Sequence, residues 1–522
     1  MMRIIFTLFL FPILFELMAQ NAPPTVTITS VQLNEGAGTV TILFDLIDME
    51  QTVQVNFRVS MDEGITFLPE PLDLSGDVGT EISVGTGRSI TWNYGELPNI
   101  HSATVQVIAI DSTTPDIASM ADQVDPDQLM QRLEQIAIPR HHISAPQGLQ
   151  AVRDSLFTSF EDLGLQTSTH TASYSGAQAD NILGRKPGYI DPARTYIVDG
   201  HYDAVPGSPG ADDNGTAVAA TLEIARILSQ YQFKNSLRFI GFAFEEEGIV
   251  GAEQYVQNGI AAWEEINGVL NMEMIGYYSD EPNSQTMPAG FNLLFPVAQA
   301  ELEANEFRGD FLTVVGNAAS EQLNNSFVQA MDQYVPQLKR IPLSVPGNGQ
   351  IAPDLRRSDH APFWDAGIPA LMLTDGSNYR NPNYHLPSDL PATIDIAFFT
   401  NCTKAVLAAA ALLAEPINAG MDEYSLSELV GIHDHDRAFP CTALVHPNPA
   451  QEVINLQLGN CSGERIIAEL FDLKGKKITG KEIHADGSDQ SHSIPINGVP
   501  AGTYLLVLRS GESSETIKVE VN

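Results

Sequence analysis

Apolar residues are distributed along this chain in three regimes. From about residue 22 to 112 they form short runs rich in β-branched and aromatic side chains: Val26-Thr27-Ile28, Val40-Thr41-Ile42-Leu43-Phe44 and Val53-Gln54-Val55-Asn56-Phe57, closed by Thr104-Val105-Gln106-Val107-Ile108-Ala109. Gly, Asp and Pro separate the runs, and this spacing predicts a β-sandwich. From about 120 to 418 helical patterns alternate with apolar runs. Asp127 to Ile136 and Ala151 to Leu163 read as amphipathic helices. Thr195 to Val198, Leu237 to Phe244, Gly268 to Leu270 and Ala370 to Leu373 read as strands buried on both faces of an α/β sheet. Residues 419–440 are polar and without a sustained apolar period, which predicts a linker. The last segment, 441–522, is again all-β.

Length and charge narrow the possibilities. A chain of 522 residues with 43% hydrophobic content holds several ordinary cores. Its formal net charge of -38, from 65 acids against 27 bases, disfavours nucleic acid and anionic membrane as partners. Residues 1–20 have the form of an export signal: Met1-Met2-Arg3, an apolar run from Ile4 to Phe15, and a cut near Gln20. That run is too short to span a bilayer, and no later segment is expected to be transmembrane. The expectation is a secreted or surface-attached protein. An oxidising compartment permits a disulfide between Cys441 and Cys461, whereas Cys402 lies in a helical pattern as a small buried hydrophobe.

The candidate chemistry lies just beyond the apolar runs of the middle region. One run leads into Gly200-His201-Tyr202-Asp203, a second into Glu245-Glu246-Glu247, and a third into Asn271-Met272-Glu273. In open α/β sheets, sites form beyond the carboxyl ends of strands, so three strands deliver imidazole and carboxylate to one edge. Gly210-Ala211-Asp212-Asp213-Asn214-Gly215 precedes a helical pattern with Val218, Leu222, Ala225 and Leu228 on one face. One of its three Asp/Asn residues is expected to cap that helix. Ser358-Asp359-His360 and Tyr384-His385 follow downstream. His433 and His435, in a segment without a strand to hold them, read as solvated. Zinc takes imidazole and carboxylate ligands, and two metals roughly 3.5–4 Å apart share a carboxylate. His201, Asp212, Glu246, Glu273 and His385 supply such a set, with Glu245 left as a base.

Residues 195–390 resemble the secreted two-zinc aminopeptidase family, which also contains glutaminyl cyclases and glutamate carboxypeptidases. His201/Asp203, Gly210 to Asn214, Glu245 to Gly248, Glu273, Ser358 to His360 and His385 match its motifs in order. The resemblance implies a zinc-exopeptidase fold, α/β with a central mixed, largely parallel sheet flanked by helices. It implies two Zn²⁺ per chain, bridged by Asp212, with Glu246 and His385 completing one site and His201 and Glu273 the other. Glu245 is then the general base that deprotonates the bridging water, Asp203 orients His201, and Glu247 only fills the gap before Gly248. The Asp212–Asp213 peptide is often cis in this family.

The implied activity is hydrolysis of N-terminal residues from peptides. A carboxypeptidase or dipeptidase, with Arg356 and Arg357 pairing to a substrate carboxylate, and a single-zinc glutaminyl cyclase are the alternatives. Two departures from the family pattern leave specificity open: Glu273 replaces a common Asp, and the paired cysteines before Ser-Asp-His are absent. The N-terminal region is similar to the fibronectin-type modules of secreted bacterial hydrolases. Residues 441–522 resemble the sorting domain of the type IX secretion machinery, through Pro447-Asn448-Pro449, Asp472 to Lys476 and Gly502-Thr503-Tyr504.

Overall fold

The computed structural model describes residues 21–521 apart from 63, 70, 96, 98, 431–441, 447, 449, 460–464, 473–475, 485–489 and 511–512. The export signal, His433, His435 and the proposed Cys441–Cys461 pair fall outside the described residues.

The N-terminal strands pair as two four-stranded sheets. Thr25–Asn34, Thr39–Ile47, Gly85–Asn93 and Leu74–Gly76 form one. The other runs Ala419–Ser425, Thr104–Ile110, Thr52–Ser60, Gly79–Ser83. Inward positions follow the two-residue strand period: Val40, Ile42, Phe44 and Leu46 on one strand, Val53, Val55, Phe57 and Val59 on another, are all buried. The expected linker 419–440 is therefore corrected at its start. Residues 419–425 are an edge strand contributed from beyond the α/β region. Asp422 accepts from Ile28 N at 2.7 Å, and Gln106 Nε2 donates to Glu423 at 2.7 Å.

The middle region is built on an eight-stranded mixed sheet. Its order is Lys339–Val345, Phe311–Asn317, Ala370–Thr374, Glu265–Met272, Asp191–His201, Asn235–Phe242, Ala177–Lys186, Gln166–Tyr174. The four strands from Ala370–Thr374 to Asn235–Phe242 run parallel, so their carboxyl ends share one edge. Alternate residues face opposite cores: Val198, Phe239 and Leu270 on one side, Ile197, Ile240 and Val269 on the other. Burial on both faces explains why these segments read as nearly unbroken apolar runs.

Helices cover the sheet. Pro126–Ile136 is capped by Asp125, which accepts from the N–H groups of Asp127 and Gln128. The helix expected at Ala151 starts earlier, spanning Pro146–Asp162, because Pro146 fits a first helical turn. It buries Leu149, Val152, Leu156 and Phe160. Ile396–Ala414 is long and apolar enough to cross a membrane, but 67% of its apolar window is buried inside the domain as a core helix.

The C-terminal region has its own core of Ile454, Leu456, Leu458, Ile466, Leu470, Leu506 and Leu508 between a three- and a four-stranded sheet. Among its described motif residues, two bind its own backbone. Asn448 donates to Lys518 O at 3.1 Å and accepts from Glu520 N at 2.7 Å, while Asp472 accepts from Lys476 N at 2.8 Å.

Candidate metal centre

The parallel strands aim their carboxyl ends at one cleft. His201 is the last residue of Asp191–His201, Glu273 follows Glu265–Met272, and Glu245 and Glu246 lie just past Asn235–Phe242. A Cβ on Gly200 would sit 2.5 Å from Ala217 Cβ, so glycine there lets helix Ala217–Leu228 begin hard against the strand end. That packing brings the turn 211–216 alongside His201.

Six side chains converge. His201 Nε2 lies 3.5 Å from Asp213 Oδ1, 3.5 Å from Glu273 Oε2 and 3.8 Å from Glu245 Oε2. On the far side of Asp213, His385 Nε2 lies 3.1 Å from Asp213 Oδ2, and 3.3 Å from Glu246 Oε2. Asp213 thus stands between both imidazoles. Phe244 and His385 take left-handed φ values of 58° and 59°, a conformation costing non-glycine residues on the order of 1–3 kcal/mol, which their surroundings hold in place.

Asp212, expected in the cluster, lies outside it. Its Oδ1 accepts from Gly276 N at 3.0 Å and from Thr216 Oγ1 at 3.2 Å, and its Oδ2 accepts from Asn381 Nδ2 at 2.7 Å. Burial and the neighbouring Asp375 hold its carboxyl well above the ordinary range. Nor does this turn cap the following helix as expected, since no side chain caps Ala217–Leu228. The cis peptide is Asp213–Asn214, one residue later than the resemblance implied.

Surrounding groups fix the cluster. Asp389 accepts from Asp212 N at 2.9 Å and Asp213 N at 3.1 Å. Asn214 donates to Met272 O at 2.9 Å, tying the turn to the strand before Glu273. Asp203 lies 3.6 Å from His201 Nδ1, and also accepts from Glu245 N at 3.1 Å and Glu246 N at 3.2 Å. In the Ser-Asp-His motif, Ser358 donates to Glu273 at 2.7 Å, whereas His360 is turned to Leu355 O and packs on Trp364. Glu247 does more than fill a gap, being paired with both His141 and His142. Asp389 and the two histidines carried no periodic or motif signal strong enough to place them here.

The electrostatics call for a cation. Burial alone would keep His201 neutral, but Glu245, Asp203, Asp213 and Glu273 outweigh it and hold the imidazole well above its ordinary pKa. His385 is likewise pushed up to about 9, against burial, by Asp213 and Glu246. Burial and the charge on Asp213 raise Glu246 to about 7, and burial raises Glu245 strongly. His201 Nε2, Asp213 Oδ2 and Glu246 Oε1 are buried without a hydrogen-bond partner. Buried polar atoms are rarely left so, and His201, Asp213 and Glu246 offer ligand atoms all within 4.8 Å of one another. The donor set of imidazole and carboxylate fits zinc.

Two spaces adjoin the cleft. One is a pocket lined by Met287, Leu343, Leu355 and Met372, with Glu273, Arg357 and Tyr384 at its junction with the cluster. The other is an open groove reached past Gly248 and Ile249. Arg356 is engaged by Asp365 and Asn348 O. Arg357 stays at the cleft, donating to Tyr384 Oη at 2.7 Å.

Residues 181–410 match the sequence model of peptidase family M28, and residues 444–522 match that of a secretion system C-terminal sorting domain. The Escherichia coli protein YfbL is 33% identical over 208 residues, which is 37% of this chain and 59% of that protein. The Bacillus subtilis aminopeptidase YwaD is 27% identical over 42% of this chain and 41% of its own. The chain therefore spans less than two thirds of the length of these relatives. The LapA aminopeptidase of Legionella pneumophila aligns over 57% of this chain and 73% of that one, at 19% identity and a TM-score of 0.44.

Proposed function

We propose that this chain, which carries a peptidase family M28 domain at residues 181–410 and a secretion sorting domain at 444–522, is an exported two-zinc aminopeptidase. The observation that carries the reading is the convergence of His201 Nε2, Asp213 Oδ2 and Glu246 Oε1, buried and without a hydrogen bond, at the carboxyl edge of the sheet. Asp213, between two histidines, is the carboxylate that would be shared by the two zinc ions. Glu246 and His385 would complete one site, His201 and Glu273 the other. Bound zinc supplies Lewis acidity, lowering the pKa of water and polarising the scissile carbonyl.

The chain's own residues do the rest. Glu245 faces the cleft, takes the proton of the attacking water and passes it to the leaving amine. Asp203 orients His201 and, through two N–H groups, the backbone of Glu245 and Glu246. Tyr384 Oη accepts from Arg357, so its own proton is free to donate into the cleft toward charge developing on the carbonyl oxygen. The apolar cavity takes the side chain of the first residue, favouring Leu, Met or Phe, and the open groove takes the remaining peptide. The sorting domain hands the protein to the type IX machinery.

Arg357 favours one second reading, in which the substrate presents a carboxylate to the cleft. Purified protein assayed on aminoacyl anilides, N-blocked peptides and C-terminal substrates decides between them. The expected result is cleavage only behind a free amino group, abolished by chelator and restored by Zn²⁺. Cleavage of N-blocked peptides from the carboxyl end would replace this reading with a carboxypeptidase. Cyclisation of N-terminal Gln with one zinc bound would replace it with a cyclase.

A further inference from the structure

The stretch Arg140-His141-His142 lies outside the residues that match the peptidase family, yet it touches three of the loops that bear the cluster. Arg140 is fully buried, and its guanidinium meets mainly backbone carbonyls. Nε donates to Tyr202 O at 2.7 Å, in the loop of His201 and Asp203. Nη2 donates to Gly210 O at 2.7 Å and Nη1 to Pro209 O, in the loop leading to Asp213. The backbone adds Ala204 N to Arg140 O at 3.2 Å. Gly210 has φ +59°, and a Cβ there would come within 2.3 Å of Asp213 O and 2.9 Å of Arg140 Nη2, so this approach requires glycine.

The next two residues reach the third loop. His141 Nδ1 accepts from Ile143 N at 3.3 Å and Ser144 N at 3.2 Å. Those bonds put the ring proton on Nε2, which donates to Glu247 Oε1 at 3.1 Å. His142 Nδ1 is 3.3 Å from the same oxygen, and its ring stands edge-on to Phe244 at 5.3 Å. His141, His142 and Glu247 are close enough to suggest a metal site of their own. The hydrogen bonds argue against one, because ligation through Nε2 would require the ring proton on Nδ1, which already accepts from two N–H groups.

We infer that Arg140, His141 and Glu247 are positioning residues that hold the 201–203, 209–214 and 245–247 loops at the spacing zinc binding requires. The inference rests on the two-zinc reading above. A side chain fixed by several carbonyls resists the mutual repulsion of Asp213, Glu245, Glu246 and Glu273 in the apo-protein, and so preorganises the ligands.

The test compares Arg140→Lys, Glu247→Ala and Glu247→Gln with wild type in the full chain. Zinc affinity is measured by chelator competition on apo-protein, and kcat and KM at limiting and excess Zn²⁺. Arg140→Lys and Glu247→Ala are expected to weaken zinc binding about 10–100-fold, the range for partners of metal ligands. Lost kcat should return with excess zinc while KM stays constant. Glu247→Gln should recover most of the affinity, because its amide oxygen still accepts from His141. Should Arg140→Lys fail to fold, Glu247→Ala decides alone. Wild-type zinc affinity in Glu247→Ala overturns this inference and leaves the two-zinc reading intact. Three zinc ions in wild type and two in Glu247→Ala would make the trio a metal site instead. A wild-type protein that binds no zinc overturns both readings.

Discussion

Asp212 and Asp213 are adjacent and chemically identical, yet the fold gives them opposite surroundings. Asp213 lies between two imidazoles, whereas Asp212 is satisfied by Gly276 N, Thr216 and Asn381. Asp213→Asn is therefore expected to lose zinc from both sites, and Asp212→Asn to retain two ions per chain, read by metal analysis of purified protein. Zinc loss confined to Asp212→Asn would restore the bridging role to that residue. Glu245→Gln should lower kcat by about 10²–10⁴-fold, the usual weight of general acid–base catalysis, with zinc content unchanged. Loss of metal in that variant would make Glu245 a ligand rather than the base. His201, Glu246, Glu273 and His385 were legible in the sequence because each follows an apolar run or sits in a recognisable motif. The choice between Asp212 and Asp213 was not. It depends on the non-helical dihedrals of Asp213 (φ -103°, ψ 90°) and Asn214 (φ -123°, ψ 44°), which are set by distant partners such as Asp389 and Met272. Glu247 was misread for the same reason, since its histidine partners lie about a hundred residues away in the chain.

Among the elements, strands buried on both faces were the most legible, because an unbroken apolar run admits few other readings. The strand Ala419–Ser425 was not legible. Only its first residue is buried, so it shows no apolar period, and its partners come from the opposite end of the chain. Asn418 donates to Asp111 at 2.6 Å and to Asn21 O at 3.1 Å, joining the start of this strand to the N-terminal segment. Without residues 419–425, the strand Thr104–Ile110 loses a ladder neighbour and becomes an exposed edge, a template for aggregation. A chain ending at residue 418 is accordingly expected to melt at lower temperature and aggregate more than one ending at 430. Scanning calorimetry and light scattering on the two truncations measure this. Equal melting temperatures would show that the added strand contributes nothing to the stability of its sheet.

At the scale of the whole molecule, the proposed catalysis and the proposed export fall on separate stretches of sequence. Every residue assigned to the metal centre lies between His201 and His385, and the positioning stretch lies at residues 140–142. All of these belong to the compact unit that includes residues 105–423. The region matched by the sorting-domain model begins at residue 444 and has its own core, built on Ile454, Leu456, Leu470 and Leu506. Its Asn448 and Asp472 are occupied in fixing its own strands and turns, and no residue of the metal centre comes from it. A chain truncated after residue 430 should therefore keep wild-type zinc content, kcat and KM as purified protein. In a host that possesses the secretion machinery, the same truncation should remove the enzyme from the medium and the cell surface while activity accumulates inside. Grafting residues 431–522 onto an unrelated periplasmic reporter should send that reporter outward. Normal export of the truncated chain would sink the sorting assignment. Loss of kcat in the purified truncation, with zinc still bound, would show instead that the tail takes part in catalysis.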